Sequence, residues 1–228
     1  MELSLFNQAG LWFLLRWIHL LAGVAWIGLL YYFNFVQGEY FKEADGGAKS
    51  DAIQKLVPRA LWWFRWGAMV TFLSGLAMLA LLPNLKHFSG VGIIIGVVLG
   101  TLMFLNVWLI IWPKQKIVIA SAKQVAGGGQ ADPAAAGALG KAGLASRTNV
   151  LFSIPMLFFM ASSNHLGGLQ TMLGDAGGLW LALVFGLIAA LEVNAIAGKT
   201  GPIASVKGVI HMGLLLTAVL YVLAELAA

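Results

Sequence analysis

Most of this sequence is apolar, so the few side chains able to do chemistry inside its long hydrophobic blocks stand out. In LLRWIHLLAGVAWIGLLYY, Arg16, His19, Gly23 and Trp26 fall at i, i+3, i+7 and i+10 and share one helical face. An imidazole on such a face can ligate haem iron, a glycine leaves room beside a flat macrocycle, and an arginine one turn away can meet propionates. The same pattern is equally consistent with His19 hydrogen-bonded within a bundle and Arg16 reaching to the headgroups.

A second group lies in SRTNVLFSIPMLFFMASSNHL, where Pro155 is mid-segment and Asn164 and His165 stand at one end. The proline should kink its helix and free a carbonyl for a neighbour to satisfy. His165 is expected near the depth of His19, so the two can supply opposite axial ligands to one b-type haem. His87, in a short loop, is a third imidazole that reads more simply as solvated. Further on, Glu192 and His211 should be brought level by antiparallel helices and form a buried pair, either a proton path or a structural lock. Met212 is a weak alternative ligand should a second haem sit on His211.

The elements that position these groups follow from composition. Of 228 residues, 60% are hydrophobic and 10% charged, against roughly 45–50% and about 25% in soluble domains. At about 20 apolar residues per crossing, helices are expected near 11 to 36, 60 to 82, 91 to 112, 147 to 165, 178 to 197 and 205 to 225. The reading is one all-α integral membrane domain of about six transmembrane helices. Residues 113 to 146 form a flexible cytoplasmic loop containing the linker-like VAGGGQADPAAAG. The first block is too long for a signal-peptide core and is expected to stay as helix one.

Lys42, Lys49, Lys55 and Arg59 follow helix one, Lys114, Lys116, Lys123, Lys141 and Arg147 follow helix three, and Lys199 and Lys207 follow helix five. Positive residues resist translocation, so these loops are expected in the cytoplasm and both termini outside. Their dispersal explains the net charge of +5 without a nucleic-acid surface. The absence of cysteine removes disulfides, iron–sulfur clusters, covalent haem attachment and thiol nucleophiles. Trp62, Trp63 and Trp66 read as an interfacial aromatic belt, and Gly92, Gly96 and Gly100 as a flat stripe for close helix packing.

RWIHLLAGVAWIG, WWFRWGAMVTFLSG, NVWLIIWPKQKIVIA and NVLFSIPMLFFMASSNHL, in that order, resemble the N-terminal membrane domain of the bacterial membrane-bound urate hydroxylase (urate oxidase) family. The resemblance implies a haem-associated membrane fold whose longer members carry a c-type cytochrome domain outside and pass electrons from urate oxidation towards the respiratory chain. The matching positions are Arg16, His19, Trp26, Asn106, Pro113, Gln115, Lys116, Asn149, Pro155, Asn164 and His165. This sequence has no CxxCH motif, and EADGGAKSDAIQKLV lacks the histidine-bearing glycine-rich segment of the longer members. It therefore looks like a short form. Helix one is also similar, more weakly, to the HemJ-type protoporphyrinogen oxidases.

The expected function is a b-type haem protein of the bacterial cytoplasmic (inner) membrane. It would relay electrons between a membrane or small-molecule donor and a c-type cytochrome or respiratory complex, alone or as an oligomer. The competing reading is a cofactor-free accessory subunit that docks through the glycine stripe. A transporter ranks last, since no inverted repeat is visible.

Overall fold

The computed structural model describes residues 4–80, 90–162 and 165–227. It is all-helical, with helices long and apolar enough to cross a bilayer: α1 Gln8–Glu43, α2 Gly46–Ala80, α3 Val91–Ala126, α4 Ala135–Ser162, α5 Gly178–Ala197 and α6 Val206–Ala227. Six crossings return the chain end to the face on which it began. That face is the terminal face, and the opposite one, where the lysine-rich connections lie, is the basic face.

The apolar blocks locate all six helices, but α1, α2 and α3 run well past them. Hydropathy marks where hydrocarbon ends, whereas the backbone ladder continues wherever helix-forming residues follow. Thus α1 extends through GEYFKE and α3 through WPKQKIVIASAKQVA. The segment read as a loop over residues 113 to 146 is mostly helical and is irregular only between Ala126 and Ala135. There Gly128 takes φ 85°, a left-handed conformation natural to glycine. The turn is fastened by Asp132, whose backbone N–H donates to Ser121 Oγ at 3.0 Å and whose carboxylate accepts from Ala134 N–H at 2.8 Å.

α4 is the hub. Of its apolar window 61% is buried, against 17% for α1 and for α5. It packs on α3 at one side, on α5 and α6 at the other, and on the basic half of α1. The glycine stripe makes the α3 contact. A Cβ on Gly96 would sit 3.1 Å from Met160 Cγ and 3.3 Å from Met160 N. One on Gly92 would sit 2.9 Å from Leu169 Cβ. α1 and α2 form a separate tight hairpin, where Gly67 lets α2 approach the α1 backbone at Ala22 and Trp26. Phe72 and Phe104, stacked with centroids 4.1 Å apart, join this hairpin to α3.

Three helices change pitch in their basic halves. Tyr32–Gln37 in α1, Ala52–Leu56 in α2 and Asn106–Ile111 in α3 are π-helical. Such wide turns disturb the regular ladder and recur at functional positions.

Candidate functional site

Among the described residues, polar side chains gather at three places within the apolar bundle. The first is the seam between α1 and α2. His19 is half-buried there, and its Nδ1 lies 3.2 Å from Ser74 Oγ. Ser74 follows its helix neighbours Val70 and Thr71 by one turn, so its hydroxyl donates back to the Val70 carbonyl at 2.6 Å, with the Thr71 carbonyl at 3.0 Å as the alternative acceptor. Gly75 leaves space for the imidazole: a Cβ at that position would stand 3.2 Å from His19 Cε1. Gly23 is less crowded, its nearest neighbour being the Thr71 side chain at 4.0 Å. Trp26, two turns along the same face of α1, is 3% exposed with its indole nitrogen buried and without a hydrogen-bond partner.

These features fit one side of a haem. They provide an oriented imidazole, small residues beside it and an unused buried donor on the same helical face. Arg16 does not join them, being exposed and stacked over the Trp12 ring at 3.8 Å.

His165 lies beyond the end of α4, exposed, with Nδ1 donating to the Ala161 carbonyl at 2.9 Å. Its bond is thus to the preceding turn of its own segment, whereas the bond of His19 crosses from α1 to α2. Among the described residues no three histidine or acidic side chains converge on a possible metal position. His87 and Asn164 lie outside the described residues.

The second polar site is in the basic half, where α3, α4 and α5 meet. Asn149 is fully buried and donates from Nδ2 to the Met103 carbonyl at 3.0 Å, beside the point where α3 enters its π-helical stretch. Asn106 is 1% exposed and opens that stretch. Its Nδ2 donates both to Asn149 Oδ1 at 3.0 Å and to Glu192 Oε2 at 3.1 Å. A carboxylate inside a membrane bundle is costly unless hydrogen-bonded, and Asn106 supplies the bond.

The expected Glu192–His211 pair is therefore replaced. His211 is exposed on the outside of α6 and donates from Nδ1 to the Lys207 carbonyl at 2.7 Å. Antiparallel register had suggested a shared depth for the two residues, but depth does not fix rotation about the helix axis, and the two side chains point to different surroundings.

A related seam joins α1 to α4. Asn34, inside the π-helical stretch of α1, donates to the Leu30 carbonyl at 2.9 Å and to Ser146 Oγ at 2.8 Å. One helical face further along α4, Ser153 donates to Val150 and meets the Tyr31 hydroxyl at 2.9 Å. Ser74, Gly75, Asn34, Ser146 and Ser153 were not singled out from sequence. Small and amide residues carry little signal until a partner helix faces them.

Comparison with curated proteins and with solved structures gives no match. A family model described as urate oxidase N-terminal matches residues 82–197, just over half of the chain. The matched stretch contains α3, α4 and α5 and so the whole Asn106–Asn149–Glu192 cluster, while His19 lies before it. By that match, the chain belongs to the urate oxidase N-terminal family.

Proposed function

We propose that this chain is the membrane-embedded redox part of a urate-oxidising system, holding one b-type haem on His19 and relaying electrons. The observation that carries the reading is His19, among the described residues the one imidazole oriented by a neighbouring helix within the apolar bundle. Bound there, the haem would supply one-electron transfer between a membrane or small-molecule donor and a c-type cytochrome or respiratory partner. His19 would bind through Nε2, Ser74 would hold the ring, and the apolar walls around Gly23 and Trp26 would exclude water. Family membership supports the link to urate oxidation. The lysine-rich connections support insertion in the bacterial cytoplasmic membrane with both termini outside.

The accessory-subunit reading relied on the glycine stripe of α3 as a docking surface. Gly92 and Gly96 are covered by Leu169 and Met160 of the same chain, which withdraws that support.

The deciding experiment is a reduced-minus-oxidised visible spectrum of the purified protein, with a pyridine haemochrome assay. A b-type spectrum near one haem per chain supports the proposal; folded protein without haem, before and after incubation with haemin, defeats it. The same spectrum on His165→Ala separates a two-histidine site from a one-histidine site.

A further inference from the structure

We infer that Ser74 is a positioning residue that sets the tautomer of His19 and so makes Nε2 the nitrogen that faces a ligand. A serine hydroxyl has a single hydrogen, and that of Ser74 is committed to its own helix through the 2.6 Å contact with the Val70 carbonyl. The Thr71 carbonyl at 3.0 Å competes for the same hydrogen. Towards His19, 3.2 Å away, Ser74 Oγ can then only accept. In a neutral ring the hydrogen is therefore on Nδ1, and Nε2 carries the free lone pair.

Two details strengthen the assignment. Ser74 is 6% exposed, so water does not offer its hydroxyl an alternative partner. Gly75, the next residue, lets the ring lie against α2 rather than swing away from it. The other described histidines, His165 and His211, also direct Nδ1 to an acceptor, but to a carbonyl one turn back on their own chain and at exposed positions. Only His19 among them is held by a neighbouring helix. A hydrogen-bonded Nδ1 with a free Nε2 is the state in which an imidazole serves as a fixed metal ligand, and the loss of such an orienting partner typically weakens binding by about 10- to 100-fold.

The identity of the ligand rests on the haem reading; the tautomer does not. The test uses the full-length protein in detergent with 15N-labelled histidine, the His19 signals being assigned by their absence in His19→Gln. The expected spectrum shows protonated Nδ1 and unprotonated Nε2 in the wild type, a mixture of tautomers in Ser74→Ala, and the wild-type pattern in Ser74→Thr, which keeps a hydroxyl. Elution as one monodisperse species shows that each variant is folded. Protonated Nε2 in the wild type, or an unchanged tautomer in folded Ser74→Ala, overturns the assignment. Haemin titration of the same samples reads the ligand separately. Weakening by about 10- to 100-fold in Ser74→Ala with recovery in Ser74→Thr supports the positioning role. If the wild type takes up no haemin while the tautomer pattern holds, the haem reading fails and the Ser74 assignment stands.

Discussion

Asn106 and Glu192 are joined by a 3.1 Å hydrogen bond that ties the π-helical turn of α3 to α5. Because the same carboxamide nitrogen also donates to Asn149 on α4, one side chain holds three helices. Asn106→Ala should remove both bonds and leave a buried acceptor on Asn149 and a half-buried one on Glu192 without a donor. The expected loss is about 2–4 kcal/mol, to be read as a lowered unfolding midpoint in detergent. A midpoint equal to wild type would mean that the cluster does not hold the helices together.

Glu192→Gln preserves an oxygen that can accept from Asn106. It should therefore fold with a midpoint within about 1 kcal/mol of wild type, while abolishing any proton exchange at this position. Comparing electron-transfer rates of Glu192→Gln and wild type at several pH values separates the two roles. Identical rates throughout would leave Glu192 as a structural residue.

His211→Ala should cost little, within about 0.5 kcal/mol, because the ring is exposed and bonded only to its own helix. A large loss of haem or of stability in this variant would show that the side chain has a partner outside the chain. His19→Ala, by contrast, should lose haem by at least about tenfold while the bundle remains folded.

The glycine stripe offers a graded test. Gly96→Ala places a methyl group 3.1 Å from Met160 Cγ and 3.3 Å from its backbone nitrogen, so the Met160 turn of α4 must give by a few tenths of an ångström, at a cost of about 1–3 kcal/mol. At Gly100 the nearest atom would be 3.9 Å away, which is ordinary contact. Gly100→Ala should be neutral or gain up to about 1 kcal/mol from reduced backbone freedom. Equal unfolding midpoints for the two variants would contradict the packing described for α3 and α4.

Gly75→Ala should crowd the imidazole in the α1–α2 seam and shift it by a few tenths of an ångström, since the new methyl would stand 3.2 Å from His19 Cε1. The expected result is a folded protein with haem affinity reduced at least as far as in Ser74→Ala. Full haem binding by Gly75→Ala would mean that the ring does not need its place against α2.

The legible part of this molecule was the part governed by transfer to hydrocarbon. Six apolar blocks gave six helices, and a four-residue glycine spacing marked the face on which α3 meets α4. Hydropathy ends the helices too early because KQKIVIASAKQVA is polar enough to leave the membrane and still forms a good helix. His19 was conspicuous as an imidazole within an apolar run, but its partner Ser74 was not, because a serine in a helix usually bonds only to its own backbone. Asn106 and Asn149 entered through resemblance to a family rather than through spacing. The Glu192–His211 pair failed because residue counting gives depth and leaves rotation open. The π-helical stretches had no visible signature.

Those stretches carry a consequence for how the chain tolerates length changes. A π-helical turn holds one residue more than the α-helical ladder around it. Removing one residue from Asn106–Ile111 would let that stretch return to regular pitch, about 3.6 residues to the turn, so the helix beyond it would keep its face towards α4. A single-residue deletion in the regular ladder of Val91–Leu105 would instead turn everything beyond it by about 100° about the axis of α3. The wide turn, like the connection between Ala126 and Ala135, is thus a place where the chain can lose a residue and leave the helical faces where they were.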